Sequence, residues 1–469
     1  MMRCRLSGTK YLKLSIALFV VGVAGGVCAR AYAQQIMIQP NSDLTLEQAT
    51  KIALKLHPLR MESESNVTAA QAGVGVAQSN MLPQAYGLAD YLRTTENGIG
   101  NTSYFSFDML PRFTGRNHNL TSNDFSQSTE SQNNFLGGLS VSQFLFDFGR
   151  VRGFIDERRA DLDAEKAKLK LTDLNLIFTV AQRYYALLAA EEEIKVYDQA
   201  IHERSEELNQ ATVLAKANLR SQIDVSITQA DLSRAEMERV KAVNVRDDAK
   251  VALDAAMGMA GTAPPYHAVG TLTYSPVTEK LPALLARAFQ LRPDLKALVD
   301  EARAAGAQVD QFKSDFLPTG TAQFGYAAMG TGVPAANNMY VGLMITWPLF
   351  NGFRTEDSIA QARAREHAIG YAFEDVRQRV IEQVHTSLLN WQASVVVIEK
   401  AEETLAASRE ELTLATQRYR HGLASIIELD VAERRFTADS AAYVTALYDY
   451  SVAHAEVQRS TAESIADLP

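Results

Sequence analysis

Two stretches of this 469-residue chain are too long for the helices of an ordinary globular domain. Residues 150–218 and 354–422 contain no proline, and apolar residues recur in both at intervals of three, four and seven. This spacing is typical of a coiled-coil stripe that continues over several heptads. At 1.5 Å per residue, about 65 residues form a helix roughly 100 Å long, whereas most globular helices have about 10–14 residues. Each stripe therefore needs partner helices along its whole length.

Each long helix is predicted to end in a sharp reversal. Asn218 and Gly422 follow the two stripes, and both residue types tolerate the left-handed conformation that closes a helix. Returning helices are predicted at about 222–257 and 425–460 from their apolar periodicity. Each stretch thus forms an antiparallel helical hairpin with a narrow tip.

The chain is predicted to consist of two copies of one structural unit. Four short motifs recur in the same order, two at an offset of about 235 residues and two at about 204, as expected of an internal repeat. The paired motifs are 53–58 with 288–293, 81–83 with 316–318, 145–150 with 349–354, and 217–219 with 421–423. The first repeat is predicted to span 34–263 and the second 264–469.

Both repeats are predicted to contain the same elements in the same order. A short amphipathic helix comes first, and a helix of about 20 residues follows and is ended by Pro83 or Pro318. Regions with period two, rich in Gly, Asn, Ser and aromatic residues, then predict strands joined by a long loop, 105–133, in the first repeat. The predicted segments are β-hairpins at about 84–148 and 319–350, and long helical hairpins at about 152–257 and 356–460.

Four strands with one apolar face do not make a stable unit in lipid, because the open sheet edges leave backbone groups unpaired. Outer-membrane barrels begin at about eight strands. Strands of this chain that span a membrane therefore require sister chains. Two copies would give eight strands and a packed interior, and three would give twelve strands and a hollow one.

The first 33 residues are predicted to be a signal peptide, with a basic start, an apolar core and a cleavage site after Ala33. Both cysteines, Cys4 and Cys28, lie in this segment, so the mature chain has no disulfide. Val27 disfavours lipidation of Cys28, because a small residue is expected before a lipidated cysteine. An N-terminal anchor helix is the alternative interpretation of the segment.

The sequence contains none of the common catalytic or metal-binding motifs. HExxH, GxSxG, Walker A and cysteine clusters are all absent, and the eight histidines are scattered. We therefore expect no enzyme activity, no cofactor and no metal site. The formal net charge of −9 argues against a nucleic-acid partner, which would favour a basic face.

A series of short motifs resembles the TolC family of outer-membrane efflux proteins. The motifs are LTLEQA at 44–49 with Ala53, Leu54 and Pro58, Leu-Pro at 82–83 and 317–318, LFNG at 349–352, and YRHG at 419–422. They occur in order and cover essentially the whole mature chain. The resemblance implies a mainly α fold with membrane β structure, in which a homotrimer forms a long coiled-coil α-barrel and a 12-stranded transmembrane β-barrel, with four strands per chain.

The resemblance also implies a function and a set of partners. The chain would be the passive exit duct of a tripartite efflux or type I secretion system, placed in the cell outer membrane and extending into the periplasm. Its partners would be outer-membrane lipid, a periplasmic adaptor protein at the tips, and an inner-membrane transporter of RND or ABC type. A soluble periplasmic coiled-coil scaffold or adaptor-like protein is the alternative, and the sequence leaves the exported substrate open.

The resemblance assigns roles to residues near the second tip. Glu428 falls where the family carries an acidic residue at the periplasmic constriction, and three copies would form a ring that holds cations. Tyr419 falls on a tyrosine that takes part in closure. The alternatives are a solvated helix face for Glu428 and plain packing for Tyr419.

Ala424 stands at the position where the family carries a basic residue at the tip. The charged contact that this basic residue would make needs another residue here. The candidates are Arg418, Arg420 and Arg434. The residues predicted to form the tip turns and adaptor docking surface are Asn218, Leu219, Gly422 and Leu423. Trp347, at a strand end, is predicted to lie at the membrane–water interface, with a core position as the alternative.

Overall fold

The computed structural model describes residues 41–95, 131–330 and 336–463. The predicted signal peptide, with Cys28 and its cleavage site, lies outside these residues, as does most of the predicted loop 105–133. In the described part of the chain, no helix combines the length and the apolar character needed to cross a membrane.

Two helical hairpins dominate the fold. The first consists of α3 (Arg150–Lys216) and α4 (Gln222–Ala256), and the second of α7 (Arg354–Arg420) and α8 (Ile426–Thr461). Both α3 and α7 have 67 residues, which corresponds to roughly 100 Å of helix. The predicted long helices are therefore confirmed, and their buried apolar residues face the neighbouring helices, as the stripes require.

Two left-handed residues precede each long helix. Phe148 and Gly149 have φ of 57° and 103°, and Gly352 and Phe353 have φ of 71° and 65°. In the first repeat, the buried carboxylate of Asp147 then accepts a hydrogen bond from the Val151 N–H at 2.7 Å. This bond satisfies one of the free donors that every helix start exposes.

Four shorter helices flank the hairpins: α1 (Leu46–Leu56), α2 (Pro58–Ser79), α5 (Leu281–Leu291) and α6 (Pro293–Ser314). Thr45 and Gln48 form the predicted capping box at the start of α1. Helices α2 and α6 end at Ser79 and Ser314, several residues before the prolines that were predicted to end them. The residue before a proline disfavours helical geometry, so each helix ends earlier in a short turn.

Four of the described strands form one antiparallel sheet, in which they pair in chain order. Its members are β2 (Gln84–Thr95), β3 (Ser131–Phe146), β5 (Thr319–Gly330) and β6 (Ala336–Thr346). The two predicted β-hairpins are present and pair with each other through β3 and β5. The predicted C-terminal boundary of the loop 105–133 was wrong, because β3 already begins at Ser131 and pairs there with Thr95.

Strands β2 and β6 each have one partner within the described residues, so both edges of the sheet are free in a single chain. Strand β6 and the segment after it expose a row of large apolar side chains. These are Met339, Val341, Leu343, Ile345, Trp347, Leu349 and Phe350. An apolar edge of this kind is an aggregation site in water, so it needs lipid or another chain to cover it.

Each repeat has its own apolar core at the level of the short helices. In the first, the Tyr184 hydroxyl lies 2.8 Å from the Leu44 carbonyl oxygen and accepts a hydrogen bond from the Val269 N–H at 3.2 Å. In the second, Trp391 packs with Tyr450 in the equivalent cluster. A two-stranded parallel sheet, β1 (Ser42–Leu44) with β4 (Tyr266–Ala268), joins the segment before α1 to the linker between the repeats. The division at 263/264 stays a prediction.

Candidate functional site at the helical tips

The two hairpin tips have the same backbone turn. In the first tip the Leu219 N–H donates to the Leu214 carbonyl and the Asn218 N–H to the Ala215 carbonyl, at 2.9 and 3.0 Å. In the second tip Leu423 and Gly422 donate to the carbonyls of Arg418 and Tyr419 at 2.8 and 3.0 Å. This pair of bonds is the Schellman motif, which satisfies the last helical carbonyls and needs a left-handed residue.

Asn218 and Gly422 supply that residue, with φ of 57° and 75°. A Cβ added at Gly422 would meet open space, so the backbone angle and not crowding is what favours glycine there. Leu219 and Leu423 follow the turns, and both side chains are 71% exposed. The structure therefore places the four predicted tip residues at two matched turns, each with one exposed leucine.

Arg220 of the first tip reaches across to the second. Its guanidinium carbon lies 4.6 Å from the centre of the Tyr419 ring, and its Nη2 donates to the Tyr419 carbonyl oxygen at 3.1 Å. The Tyr419 ring is buried against Ile426, Leu429 and residues of both hairpins. A cation over an aromatic face and a hydrogen bond to the same residue join the two tips of one chain.

The Tyr419 hydroxyl is buried and has no hydrogen-bond partner within the described part of the chain. Burial raises the pKa of this hydroxyl, and the nearby Asp224 and Glu207 raise it further, while Arg220 lowers it. A buried donor without a partner is costly. The contact between the tips is made by the ring and the carbonyl oxygen of Tyr419 and not by its hydroxyl.

Glu428 lies on the exposed side of the first turn of α8. Its carboxylate oxygen Oε1 is 2.9 Å from Nε of Arg418, and both side chains are about half exposed. Of the three arginines predicted to replace the family's basic tip residue, Arg418 is the one that pairs with Glu428, while Arg434 pairs with the buried Asp430. The structure brings Glu428 and Arg418 together within one hairpin.

A layer of buried charged residues lies above the tips, between the two hairpins. Its buried members come from α3 (Arg204), α4 (Asp231) and α8 (Asp430 and Glu433), and the half-buried Glu207 of α3 interacts electrostatically with Glu433. Arg204 is 5% exposed, and its Nη1 donates to the Asp231 carbonyl oxygen at 3.0 Å. Its Nε lies 3.8 Å from Oε2 of Glu433, which is an ion pair but not a hydrogen bond.

Burial is the main cause that raises the pKa of Glu207, Glu433 and Asp430 in this layer. The neighbouring acid Glu433 raises the pKa of Glu207 further, and Asp231 does the same for Asp430. Acids that lie close together disfavour each other's charged form, and the layer holds more acids than its one buried arginine can pair.

Sequence reasoning missed both Arg220 and the buried layer. Arg204 stands between Ile201 and Leu208 at core spacing, so a charged residue inside an apolar stripe was the available signal. Arg220 carried no such signal, because its role depends on how closely the two tips approach. Within the described residues no group of three or more histidine, cysteine or acidic side chains could hold a metal ion.

The sequence matches the family model described as outer membrane efflux protein over residues 50–259 and 284–463. CusC, the cation efflux system protein of Escherichia coli, is 25% identical over 346 residues, which cover 71% of this chain and 73% of the relative. TtgC, the toluene efflux pump outer membrane protein of Pseudomonas putida, is 23% identical over 341 residues, or 68% and 67% of the two chains.

Solved structures share the fold. The Campylobacter jejuni CmeC outer membrane channel superimposes with a TM-score of 0.72 at 15% identity, over 89% of this chain and 85% of that one. The open state of the Neisseria gonorrhoeae MtrE outer membrane channel gives a TM-score of 0.70 at 19% identity, over 89% of both chains. These similarities confirm the fold class predicted from the sequence.

Proposed function

Because the chain belongs to the outer membrane efflux protein family, it lies in the outer membrane and extends into the periplasm, and we propose that three copies close into one water-filled duct. The free edges of the sheet are the single observation that carries this proposal. Strands β2 and β6 lack a second partner within the described residues, and β6 is apolar on its exposed side. Three such sheets joined edge to edge give twelve strands, enough for a hollow barrel.

The long hairpins extend the duct on the other side of the short helices. Helices of roughly 100 Å need partners over their whole length, and a ring of six hairpins supplies them. The duct does no chemistry in this proposal. It lets solutes pass that a pump delivers. The family assignment argues against the alternative of a soluble scaffold or adaptor-like protein.

The tips are proposed as the periplasmic gate and the adaptor docking surface. Three copies of Glu428 around the axis would form an acidic ring that retains cations, and Tyr419 would hold the tips closed through its contact with Arg220. The exposed Leu219 and Leu423 give each turn one apolar contact for a periplasmic adaptor. An inner-membrane transporter of RND or ABC type would supply the energy.

The cargo is proposed to be chosen outside this chain. One relative is a cation efflux system protein and another belongs to a toluene efflux pump, although both are similar to this chain at about the same level. A duct that accepts both kinds of solute needs a wide, wet interior more than a binding pocket. Outer-membrane lipid would cover β6 and Trp347, whose indole N–H donates to the Phe316 carbonyl at 3.0 Å and whose ring is 59% exposed.

Purification in detergent followed by planar-bilayer recording tests the proposal. We expect a trimer that dissociates on heating in gels, and discrete conductance steps. A soluble, detergent-indifferent monomer would refute the duct.

Glu428→Gln should weaken cation block and change conductance, because it removes one charge per chain from the ring. The matched control is Glu47→Gln, since Glu47 forms an exposed ion pair with Lys51 far from the tips. Equal conductance in both variants would remove Glu428 from the gate.

A further inference from the structure

We propose that one side of α7 packs against α2 and α4 of the neighbouring copy, and that Tyr371 of each chain is seated on α2 of the next. This contact rests on the proposed function, since it names the surfaces through which the three copies meet. The internal repeat carries it, because one chain already contains an example of the contact between a first and a second repeat. The partner of the exposed side of α7 is therefore a second copy of this chain.

Within one chain, the first repeat meets the second through one side of α3. Helix α6 packs on this side near the start of α3, where Lys168 pairs with Glu301 at 2.8 Å. Helix α8 packs on it further along, where Ala181 and Ala455 are both 0% exposed and lie in one apolar cluster. The chain thus shows which surfaces of the two repeats are complementary.

Helix α7 has the same side as α3, but it is exposed in the described part of the chain. The two helices are both 67 residues long and align from their first residues, Arg150 and Arg354. Three positions are at most 2% exposed in α3 and are exposed in α7. The buried residues are Ala160, Ala164 and Ala167, and their counterparts are Ala364, Ala368 and Tyr371. A surface that is buried in one repeat and open in the other needs a partner.

The matching surface lies on α2 and α4. In the repeat, α2 corresponds to α6 and α4 corresponds to α8. Ala304 of α6 is 6% exposed, whereas its counterpart Ala69 of α2 is exposed. Val251 of α4 is 66% exposed, although its counterpart in α8 is the fully buried Ala455. One copy therefore presents on α2 and α4 the surface that α7 of the next copy lacks.

Tyr371 distinguishes the contact between copies from the contact within a chain. Its side chain is 78% exposed, while its counterpart Ala167 is 2% exposed. Helix α2 has shorter side chains at the matching places, with Ser65 and Asn66 where α6 has Asp300 and Glu301. These residues leave more room for a tyrosine ring, which buries about 150–250 Å² when it is covered. The larger residue on α7 and the smaller ones on α2 are complementary.

Disulfide cross-linking of the full chain in detergent tests the contact. Residues 34–469 contain no cysteine, so introduced pairs have no background. His385 and Val251 are both exposed and are the counterparts of Ala181 and Ala455, which pack together within the chain. The double variant His385→Cys with Val251→Cys should therefore give covalent dimers and trimers on non-reducing denaturing gels, and monomers after reduction.

Two cysteine pairs serve as controls. Ala181→Cys with Ala455→Cys should form a disulfide within one chain and give no covalent oligomer. His385→Cys with Val240→Cys should give none either, because Val240 lies three turns of α4, roughly 16 Å, from Val251. A trimer that conducts in bilayers but does not cross-link through 385 and 251 would overturn the assigned surfaces and leave the duct standing. Absence of any trimer would overturn both.

Tyr371→Ala gives an independent measurement. It should weaken each contact between copies by about tenfold or more, because an aromatic side chain is no longer buried, and so lower the temperature at which the trimer dissociates on gels. The matched control is Val299→Ala. Val299 of α6 is 55% exposed and its counterpart in α2, Glu64, is exposed as well, so neither repeat buries this position. A dissociation temperature of Tyr371→Ala equal to that of Val299→Ala would overturn the seat of Tyr371.

Discussion

The tips and the buried layer above them both join the two hairpins, but they do so in opposite environments. At the tips Arg220 reaches from a surface turn of the first hairpin to Tyr419 of the second, and Arg418 and Glu428 form a half-exposed pair within the second hairpin. In the layer Arg204 and Glu433 are almost completely buried. Water and salt screen an exposed ion pair, whereas a buried one keeps its full electrostatic cost and gain.

The difference indicates that the two regions of the hairpins have different roles. Exposed contacts of low net energy suit a surface that has to separate and close again. Buried charged contacts suit a point that holds the hairpins together while the tips separate, because removing one partner leaves an uncompensated charge. Variants in the two regions should therefore differ in the size of their effect on stability.

Replacing Arg204 by alanine should have the largest effect on stability. The variant leaves Glu433 buried without its cation, which costs about 3–5 kcal/mol of unfolding free energy. The urea midpoint can be followed by tryptophan fluorescence, because Trp391 is buried between α7 and α8. Arg239→Ala is the control, since Arg239 pairs with Asp198 at the surface and its loss should cost under about 1 kcal/mol. Equal losses would show that burial does not separate the two regions.

Replacing Arg220 by alanine should have an intermediate effect, confined to the tips. It removes a cation–π contact and one hydrogen bond, together worth about 1–3 kcal/mol. Hydrogen exchange of the peptides around 412–429 should increase, while the layer above stays protected. Tyr419→Phe is the matched variant and should exchange like the wild type, because Arg220 bonds the carbonyl and the hydroxyl has no partner within the described residues. Faster exchange in Tyr419→Phe would assign the hydroxyl a role in closure.

Replacing Glu428 by glutamine should have the smallest effect on stability, under about 1 kcal/mol, because its pair with Arg418 is half exposed. The urea midpoint should stay close to the wild-type value although conductance changes. A large shift in the midpoint would contradict the exposed geometry. Together the three variants measure how the energy of a charged contact depends on its burial.

Much of the fold could be predicted from periodicity. Helices α3 and α7 begin and end within a few residues of the predicted bounds, because heptad spacing and the residues Asn218 and Gly422 act locally. The strands were predicted approximately in place, although β3 begins at Ser131 inside the predicted loop. Local polar composition resembles a loop there, but pairing with β2 decides the conformation.

The roles of the site residues depend on distances between segments far apart in the chain. The sequence by itself determined two long hairpins, their turns and the need for sister chains, because each of these follows from spacing and backbone geometry. Only the tertiary structure decided that Arg220 meets Tyr419 and that Arg204 pairs with Glu433. The physical reason is that helical periodicity fixes which face a residue occupies, whereas the charges opposite that face depend on how two helices of different hairpins align.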